Sequence, residues 1–246
     1  MNISLGLRRY VFGCFFCERT LKNMKYFTKK EIGLWLGSVV LIIGSFFLFD
    51  RENYMTLAAS LIGVTSIILS AKGNPLGQCL MIVFSLIYGM ISYSFAYYGE
   101  MITYLGMTMP MAIFSLISWL KNPYNGNHAE VKVNRIGRKE SIFMWIGTTM
   151  VTILFYFILD YFYTANIVPS TISVTTSFLA VYLTFRRSPF FSLAYAANDV
   201  VLIVLWILAG MKDTKYVSVV VCFAAFLVND LYGFYSWKRM EKRQSM

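Results

Sequence analysis

Two Asn–Asp pairs stand in stretches that are otherwise apolar enough to cross a bilayer. Asn198 and Asp199 lie in the middle of LAYAANDVVLIVLW, and Asn229 and Asp230 lie in FLVNDLYGFYSW. A charged side chain at the centre of a membrane-spanning helix costs about 2.5–3.5 kcal/mol on insertion scales, so it almost always faces a bundle interior or a wet cavity. The pairs therefore predict a polar site or pathway within the membrane.

Helical spacing extends each pair into a stripe along one helix face. Tyr195, Leu202 and Trp206 share a face with Asp199. We expect this stripe to face the corresponding stripe around the second Asn–Asp pair, where Asp230 is a second candidate for the site. The alternative for Asp199 is a structural hydrogen bond between helices, and for Asp230 it is solvation near a helix end. The counterpart stripe carries Phe226, Asp230, Gly233 and Trp237.

Two further apolar stretches carry polar side chains at helical spacing. Gln78, Ser85 and Ser92 are seven residues apart, and Tyr88 lies near the same face. Helix packing explains small hydroxyl residues well, but Gln78 is larger and costlier to bury, so it is the better site candidate. A second mildly polar stripe is formed by Tyr104, Thr108, Met111 and Ser115.

These residue types indicate the kind of solute that they would bind. Asp and Asn side chains form hydrogen bonds with sugar hydroxyls. Aromatic faces stack on flat rings and attract cationic ones, and a nearby carboxylate strengthens that preference. The pattern favours a flat, hydroxyl-bearing and cationic small molecule.

The composition shows which elements must position these residues. The 246-residue chain is 58% hydrophobic and 14% charged, whereas a soluble domain has about a quarter charged residues. A bilayer-spanning helix needs roughly 20 mainly apolar residues. We therefore predict an all-α integral membrane protein with eight spans, at about 32–49, 54–71, 77–98, 101–120, 142–159, 167–185, 190–209 and 217–237.

The basic residues indicate how these spans are oriented. With both termini in the cytoplasm, 19 of the 22 Lys and Arg residues fall in cytoplasmic segments, as the positive-inside rule requires. The anionic inner leaflet then accounts for the net charge of +10, and no nucleic-acid partner is expected. We predict a multi-pass protein of the cytoplasmic membrane.

The chain also repeats short patterns at nearly equal offsets. AKGNP (71–75) and FRRSP (185–189) lie 114 residues apart, and the Ser–Trp pairs ending at Trp119 and Trp237 lie 118 apart. Residues 54–120 and 167–237 are thus predicted to be two parallel three-helix repeats. Residues 142–159 are the linker helix, and one further helix precedes the repeats. Trp119 and Trp237 are predicted to be interfacial anchors.

The two ends of the chain and the motifs that the sequence lacks narrow the possible functions. Residues 1–31 are either a membrane-surface amphipathic segment or a plain cytoplasmic tail, and 238–246 form a basic cytoplasmic tail. Cys14 and Cys17 lack the further ligands of a zinc site, so neither metal nor cofactor is expected. The absence of a P-loop and of intramembrane Lys or His argues against an enzyme. Glu100, between the third and fourth spans, is expected to be solvated.

These motifs together resemble the PnuC family of nicotinamide riboside transporters, relatives of the SWEET sugar transporters. The resemblance covers roughly residues 30 to 240. It implies facilitated diffusion of nicotinamide riboside, trapping of the vitamin by a cytoplasmic kinase, and a homotrimer. It also implies substrate binding by Gln78, Asn198 and Asn229. The motifs are NPLGQ (74–78), MPMAIFSLISWLKN (109–122), ANDVVLIVLW (197–206) and VNDLYGFYSW (228–237).

One departure from the family keeps other substrates open. Where many relatives have tryptophans, this chain has Phe190, Phe191 and Tyr195. Thiamine, riboflavin and deoxynucleosides are the alternatives within transport. A ligand-binding receptor or scaffold is disfavoured because the longest loop has only about 20 residues. The complete predicted substrate site is Gln78, Tyr88, Tyr195, Asn198, Asp199, Trp206, Asn229 and Asp230.

Overall fold

The computed structural model of the chain describes residues 26–94, 98–164, 166–211 and 213–246. In these ranges eight helices are long and apolar enough to span a membrane, which confirms the all-helical, eight-span prediction. Most of the predicted N-terminal segment, with Cys14 and Cys17, lies outside the described residues. The helices are α1 Lys29–Phe49, α2 Tyr54–Ala71, α3 Leu76–Ser94, α4 Tyr98–Lys121, α5 Arg138–Tyr161, α6 Ile167–Phe185, α7 Phe191–Gly210 and α8 Val217–Gln244.

Side chains at the start of α1 and α2 explain where these helices begin. Glu31 accepts a hydrogen bond from the backbone N–H of Thr28 at 2.7 Å, and the Thr28 hydroxyl accepts one from the N–H of Glu31 at 3.3 Å. This is a capping box, which satisfies two of the free N–H groups of a helix N-terminus. Asn53 caps α2 by accepting from the N–H of Thr56.

α2 and α6 end in the same kind of turn. Gly73 and Arg187 have positive φ angles of 68° and 57°, as the residue after a helix does in a Schellman turn. Proline follows two residues later in both cases. The two turns lie 114 residues apart, at the predicted repeat offset, so they support the repeat, which stays a prediction. The bonds that close the turns run from Asn74 to Leu69 (3.1 Å) and from Ser188 to Leu183 (3.0 Å).

α4 is interrupted by one wider turn. Its α-helical parts, Tyr98–Ile102 and Met109–Lys121, flank a π-helical segment at Thr103–Thr108. Pro110 follows that segment and cannot donate the backbone hydrogen bond of a regular helix. Such π-helical turns occur frequently at functional sites, and this one contributes Tyr104 to the candidate site.

The connection between α4 and α5 contains a small β-hairpin that the sequence reading did not predict. Strands β1 (Pro123–Tyr124) and β2 (Asn127–Val131) pair antiparallel. Between them Asn125 and Gly126 both have positive φ, 48° and 74°, the requirement of a type I′ turn. This end of the helical bundle is called the hairpin end below.

The last residue of β2 and the residues just after it bind both of the matched turns. The N–H of Val131 donates to the carbonyl of Gly73, and the N–H of Asn134 donates to that of Arg187, each at 3.0 Å. Gln244, at the end of α8, accepts from the N–H of Val133 at 2.8 Å. The segment 131–134 thus connects the α2–α3 turn, the α6–α7 turn and the end of α8.

Trp119 and Trp237 are fully buried at the hairpin end, each with 0% of its surface exposed. They pack with Val131 and Phe191 in one apolar cluster. The prediction that these tryptophans anchor the helices at the membrane interface is therefore wrong. Composition alone does not distinguish a tryptophan that faces lipid headgroups from one that faces a neighbouring helix.

Candidate functional site

Five of the eight predicted site residues line one cavity between the helices. This polar cavity, with a volume of about 60 Å³, is lined by α2, α3, α4, α6, α7 and α8. Within the described part of the chain, neither Lys nor Arg is among its lining residues. The predicted residues that it brings together are Gln78, Tyr195, Asn198, Asp199 and Asp230.

Asp199 and Asp230 are the acidic groups of this cavity. Both side chains are only 4% exposed, and their carboxyl groups contact each other across the α7–α8 interface. The two predicted stripes therefore face each other at this level. Among the described residues Oδ2 of Asp199 has no hydrogen-bond partner. A buried acceptor of this kind is costly and is suited to binding a donor or a cation.

Asn198 is held by hydroxyl groups of α6. Its Oδ1 accepts hydrogen bonds from Thr176 at 2.8 Å, Ser177 at 3.1 Å and Ser173 at 3.3 Å. These bonds fix the orientation of the amide, because Oδ1 is the acceptor and the NH₂ group is the donor. Asn198 is therefore positioned to offer its NH₂ group to a ligand in the polar cavity.

Gln78 lies where α2 and α3 are closest. Its Nε2 donates to Oγ of Ser70 at 3.2 Å, and the adjacent Gly77 is so close to α2 that a Cβ atom there would lie 2.3 Å from the same Oγ. Of the three aromatic residues noted at the start of α7, Phe191 and Tyr195 line the cavity, whereas Phe190 is 48% exposed. The aromatic walls are Phe84, Tyr104, Phe191, Tyr195, Phe223 and Phe226.

Tyr88 and Trp206 line a different cavity. It lies at the end of the bundle opposite the hairpin, has a volume of about 290 Å³ and is called the acidic pocket below. Trp206 is seven residues from Asp199, which at 1.5 Å per residue places it about 10 Å further along α7. The residues predicted to form one site thus line two separate cavities. The acidic pocket is lined by Asp50, Glu52, Asn53, Thr56, Tyr88, Ile91, Ser92, Glu100, Trp206, Asp213, Lys215, Tyr216 and Val219.

A layer of aromatic rings lies between the two cavities. Phe84 is 5.5 Å from Tyr88 and 6.1 Å from Phe226 between ring centroids, and Tyr88 is 4.5 Å from Tyr104. Phe84, Tyr104 and Phe226 also line the polar cavity, while Tyr88 lines the acidic pocket. A solute that moved between the cavities through this layer would have to displace these rings.

Asn229 lines neither cavity. It is 0% exposed, and its Nδ2 donates at 2.7 Å both to Oγ of Ser38 on α1 and to the carbonyl of Ala225. Adjacent residues of a helix point about 100° apart, so Asp230 faces the polar cavity while Asn229 faces α1. The structure gives Asn229 a helix-packing contact instead of the predicted contact with the site.

Two groups of site residues were missed by the sequence reading. Glu100, which was expected to be solvated, lines the acidic pocket, and its Oε2 atom is buried without a partner among the described residues. The hydroxyls of α6 that hold Asn198 were also missed, although STISVTTS (170–177) is a visible run of Ser and Thr. In the described residues no three His, Cys, Asp or Glu side chains are grouped to hold a metal ion.

Comparisons with known proteins give this arrangement a context. A family model described as nicotinamide mononucleotide transporter matches residues 53–239. A nicotinamide riboside transporter PnuC from Neisseria mucosa is 22% identical over 86% of this chain and 82% of its own, and one from Haemophilus influenzae is 21% identical over 85% and 90%. A crystal structure of the vitamin B3 transporter PnuC has the same fold, with a TM-score of 0.77, 20% identity and coverage of 89% and 94%.

Proposed function

Since the chain belongs to the nicotinamide mononucleotide transporter family, a family of transporters and not of enzymes, we propose that it transports nicotinamide riboside. It does so by facilitated diffusion across the cytoplasmic membrane, with both termini in the cytoplasm. The relatives named above as nicotinamide riboside transporters support this substrate. The distribution of 19 of 22 basic residues supports the orientation.

The charges of the polar cavity favour the riboside over the mononucleotide in the family's description. Asp199 and Asp230 line the cavity, and neither Lys nor Arg of the described chain does. A phosphate monoester carries a charge of about −1.5 to −2 at neutral pH and would be repelled by these carboxylates. The riboside has a positively charged pyridinium ring and no phosphate. This absence of a basic group beside two acids is the observation that carries the proposal.

Each polar group then has a role in binding. Asp199 and Asp230 attract the pyridinium charge or accept hydrogen bonds from ribose hydroxyls. Asn198 and Gln78 bind the remaining polar atoms of the substrate through their amides. Tyr195, with the other aromatic walls, provides faces on which the cationic ring stacks.

The size of the polar cavity requires a conformational change during transport. Sites for small organic ligands usually measure about 300–1,000 Å³, whereas this cavity measures about 60 Å³. The two three-helix units would rock apart at one end and then at the other, and the substrate drives this change by its different affinity for each state. A cytoplasmic kinase makes uptake one-way by phosphorylating the substrate, and the assembly is a homotrimer.

Uptake into proteoliposomes tests the proposal. Purified protein should carry labelled nicotinamide riboside down its gradient and saturate, without an added ion gradient. Nicotinamide mononucleotide should enter at the rate of protein-free vesicles. Uptake of the mononucleotide but not of the riboside would overturn the proposal.

The walls of the polar cavity favour one second candidate, another cationic vitamin such as thiamine. Phe191 and Tyr195 stand where a tryptophan would offer the strongest cation–π contact. A smaller aromatic face is compatible with a different flat cation. Including thiamine, riboflavin and a deoxynucleoside in the same uptake assay decides between them, because only the first of these three is a cation. Binding without uptake of any compound would favour a receptor.

A further inference from the structure

The acidic pocket has the features of a second ligand site. It is larger than the polar cavity, about 290 Å³ against about 60 Å³. An adjoining cavity of about 420 Å³ shares four lining residues with it, so the two together form a broad opening at this end of the bundle. The shared residues are Glu100, Trp206, Asp213 and Tyr216.

The charge of the acidic pocket is strongly negative. Four carboxylates line it, and the single cation among its lining residues is Lys215. Lys215 already forms an ion pair with Glu52 at 2.9 Å, in which both side chains are largely exposed. Three carboxylates therefore face the pocket without an ion pair in the described chain. They are Asp50, Glu100 and Asp213.

Two buried oxygen atoms in the pocket lack partners. Ser92 is 2% exposed, and its Oγ has no hydrogen-bond partner among the described residues. Oε2 of Glu100 is buried and is likewise without one. Buried polar atoms are paired in the great majority of cases, so these two point to a ligand that is bound part of the time. A hydroxyl and a carboxylate that line the same pocket suit a cation that carries hydrogen-bond donors.

Aromatic side chains complete the wall. Tyr88 and Trp206 are each 7% exposed and line the pocket together. The rings of Trp206 and Tyr216 are 5.4 Å apart between centroids. Aromatic faces next to carboxylates attract organic cations, and tryptophan is the strongest of these rings. The described residues provide no cluster of metal ligands here, which favours an organic cation over a metal ion.

We propose that the acidic pocket is an entry site that binds a flat, hydroxyl-bearing organic cation before it passes the aromatic layer to the polar cavity. The choice of this substrate class rests on the proposed function. Tyr88 and Trp206 are then ligand-binding residues, but of this entry site and not of the polar cavity. A pocket of one sign of charge also raises the local concentration of an oppositely charged solute.

Quenching of tryptophan fluorescence tests the entry site without transport. The probe is the N-methylnicotinamide cation, and neutral nicotinamide is its uncharged counterpart. In detergent-solubilised protein the cation should quench saturably, and this component should be lost in Trp206→Phe. Glu100→Gln should weaken the apparent affinity about five- to tenfold, since it removes one charge at close range. Ser92→Ala should weaken it about two- to threefold, as one hydrogen bond to the ligand is lost.

The control separates the entry site from folding and from a general loss of negative charge. Asp160→Asn removes an exposed carboxylate at the same end of the bundle and should leave quenching unchanged. Equal affinity of Glu100→Gln and wild type, in proteins that elute as single species, would overturn the entry site. So would equal quenching by the cation and neutral nicotinamide. Saturable quenching by a protein that carries no riboside would overturn the proposed substrate and leave the entry site intact.

Discussion

The indole N–H of Trp237, in the last third of α8, donates a hydrogen bond to the carbonyl oxygen of Ser70, at the end of α2, at 2.8 Å. Trp119 makes the corresponding bond to the carbonyl of Thr184, at the end of α6, at 2.9 Å. The two indole rings lie 5.4 Å apart between centroids. Each predicted repeat thus donates one tryptophan hydrogen bond to the other, and both bonds lie at the hairpin end.

These two bonds should contribute similar amounts to stability. Trp237→Phe and Trp119→Phe keep an aromatic ring but remove the indole donor. The loss of this one hydrogen bond costs about 0.5–1.5 kcal/mol, because each carbonyl keeps a backbone donor, Gly73 or Arg187. Trp145→Phe, at a side chain that is 55% exposed, is the matched control. We expect the first two variants to lower the unfolding temperature in detergent and the control to leave it unchanged. If Trp237→Phe were as stable as Trp145→Phe, the two bonds would make no measurable contribution to stability.

The close approach of α2 and α3 leaves no room for a side chain at Gly77. A Cβ atom at Gly77 would lie 2.8 Å from the backbone nitrogen of Ser70 and 2.9 Å from the carbonyl oxygen of Ser66. Backbone atoms cannot move aside cheaply, so Gly77→Ala should destabilise the protein by about 1–3 kcal/mol. Its control is Gly44→Ala, since no atom lies within 4 Å of a Cβ there. That change should be neutral or stabilise α1 by up to about 1 kcal/mol. A Gly77→Ala protein with wild-type stability would contradict this packing.

The hydroxyls of α6 should act on binding through Asn198. Thr176→Val removes the shortest of the three bonds to Oδ1, 2.8 Å long, and allows the amide to turn. We expect the dissociation constant for the substrate to rise about three- to tenfold, equivalent to about 0.5–1.5 kcal/mol. Thr171→Val is the control because the Thr171 hydroxyl donates to the carbonyl of Ile167 in its own helix and makes no bond to Asn198 among the described residues. Equal affinities of these two variants would show that Asn198 needs no such support.

The number and the approximate ends of the helices followed from the sequence. Apolar length and the distribution of basic residues predicted all eight spans. α2 and α6 have the predicted bounds, Tyr54–Ala71 and Ile167–Phe185. α5 and α8 are longer than predicted, Arg138–Tyr161 instead of 142–159 and Val217–Gln244 instead of 217–237. The charged first turn of α5 and the basic residues 238–244, predicted to be part of a tail, fall outside any apolar window, although both are helical.

The division of the site could not be predicted from helix faces. A stripe fixes the direction in which residues point, but it does not say at which depth a cavity begins and ends. Asp199 and Trp206 share a face of α7 and yet line different cavities. The aromatic layer that separates these cavities combines rings from α3, α4 and α8. The sequence of any one helix contains no information about that combination.

The burial of Glu100 could not be predicted from the sequence either. A carboxylate next to a short connection between two spans is usually solvated, and the sequence offered no contrary signal. In the structure Glu100 lies in the first turn of α4 and faces the opening between the helices. The burial of Trp119 and Trp237, in contrast, was indicated by a sequence pattern, although the two residues were predicted to be interfacial anchors. Their matched Ser–Trp pairs indicated equivalent positions in two repeats, and equivalent contacts between the repeats follow naturally from that.

Asp199 is the central ligand in the proposed binding of a cationic substrate, and equilibrium binding of nicotinamide riboside to purified protein tests this role directly. Asp199→Asn keeps the size of the side chain and removes its charge. We predict that the dissociation constant rises tenfold or more, equivalent to about 1.4 kcal/mol, while Asp160→Asn binds as wild type does. An unchanged dissociation constant in a well-folded Asp199→Asn protein would contradict the account.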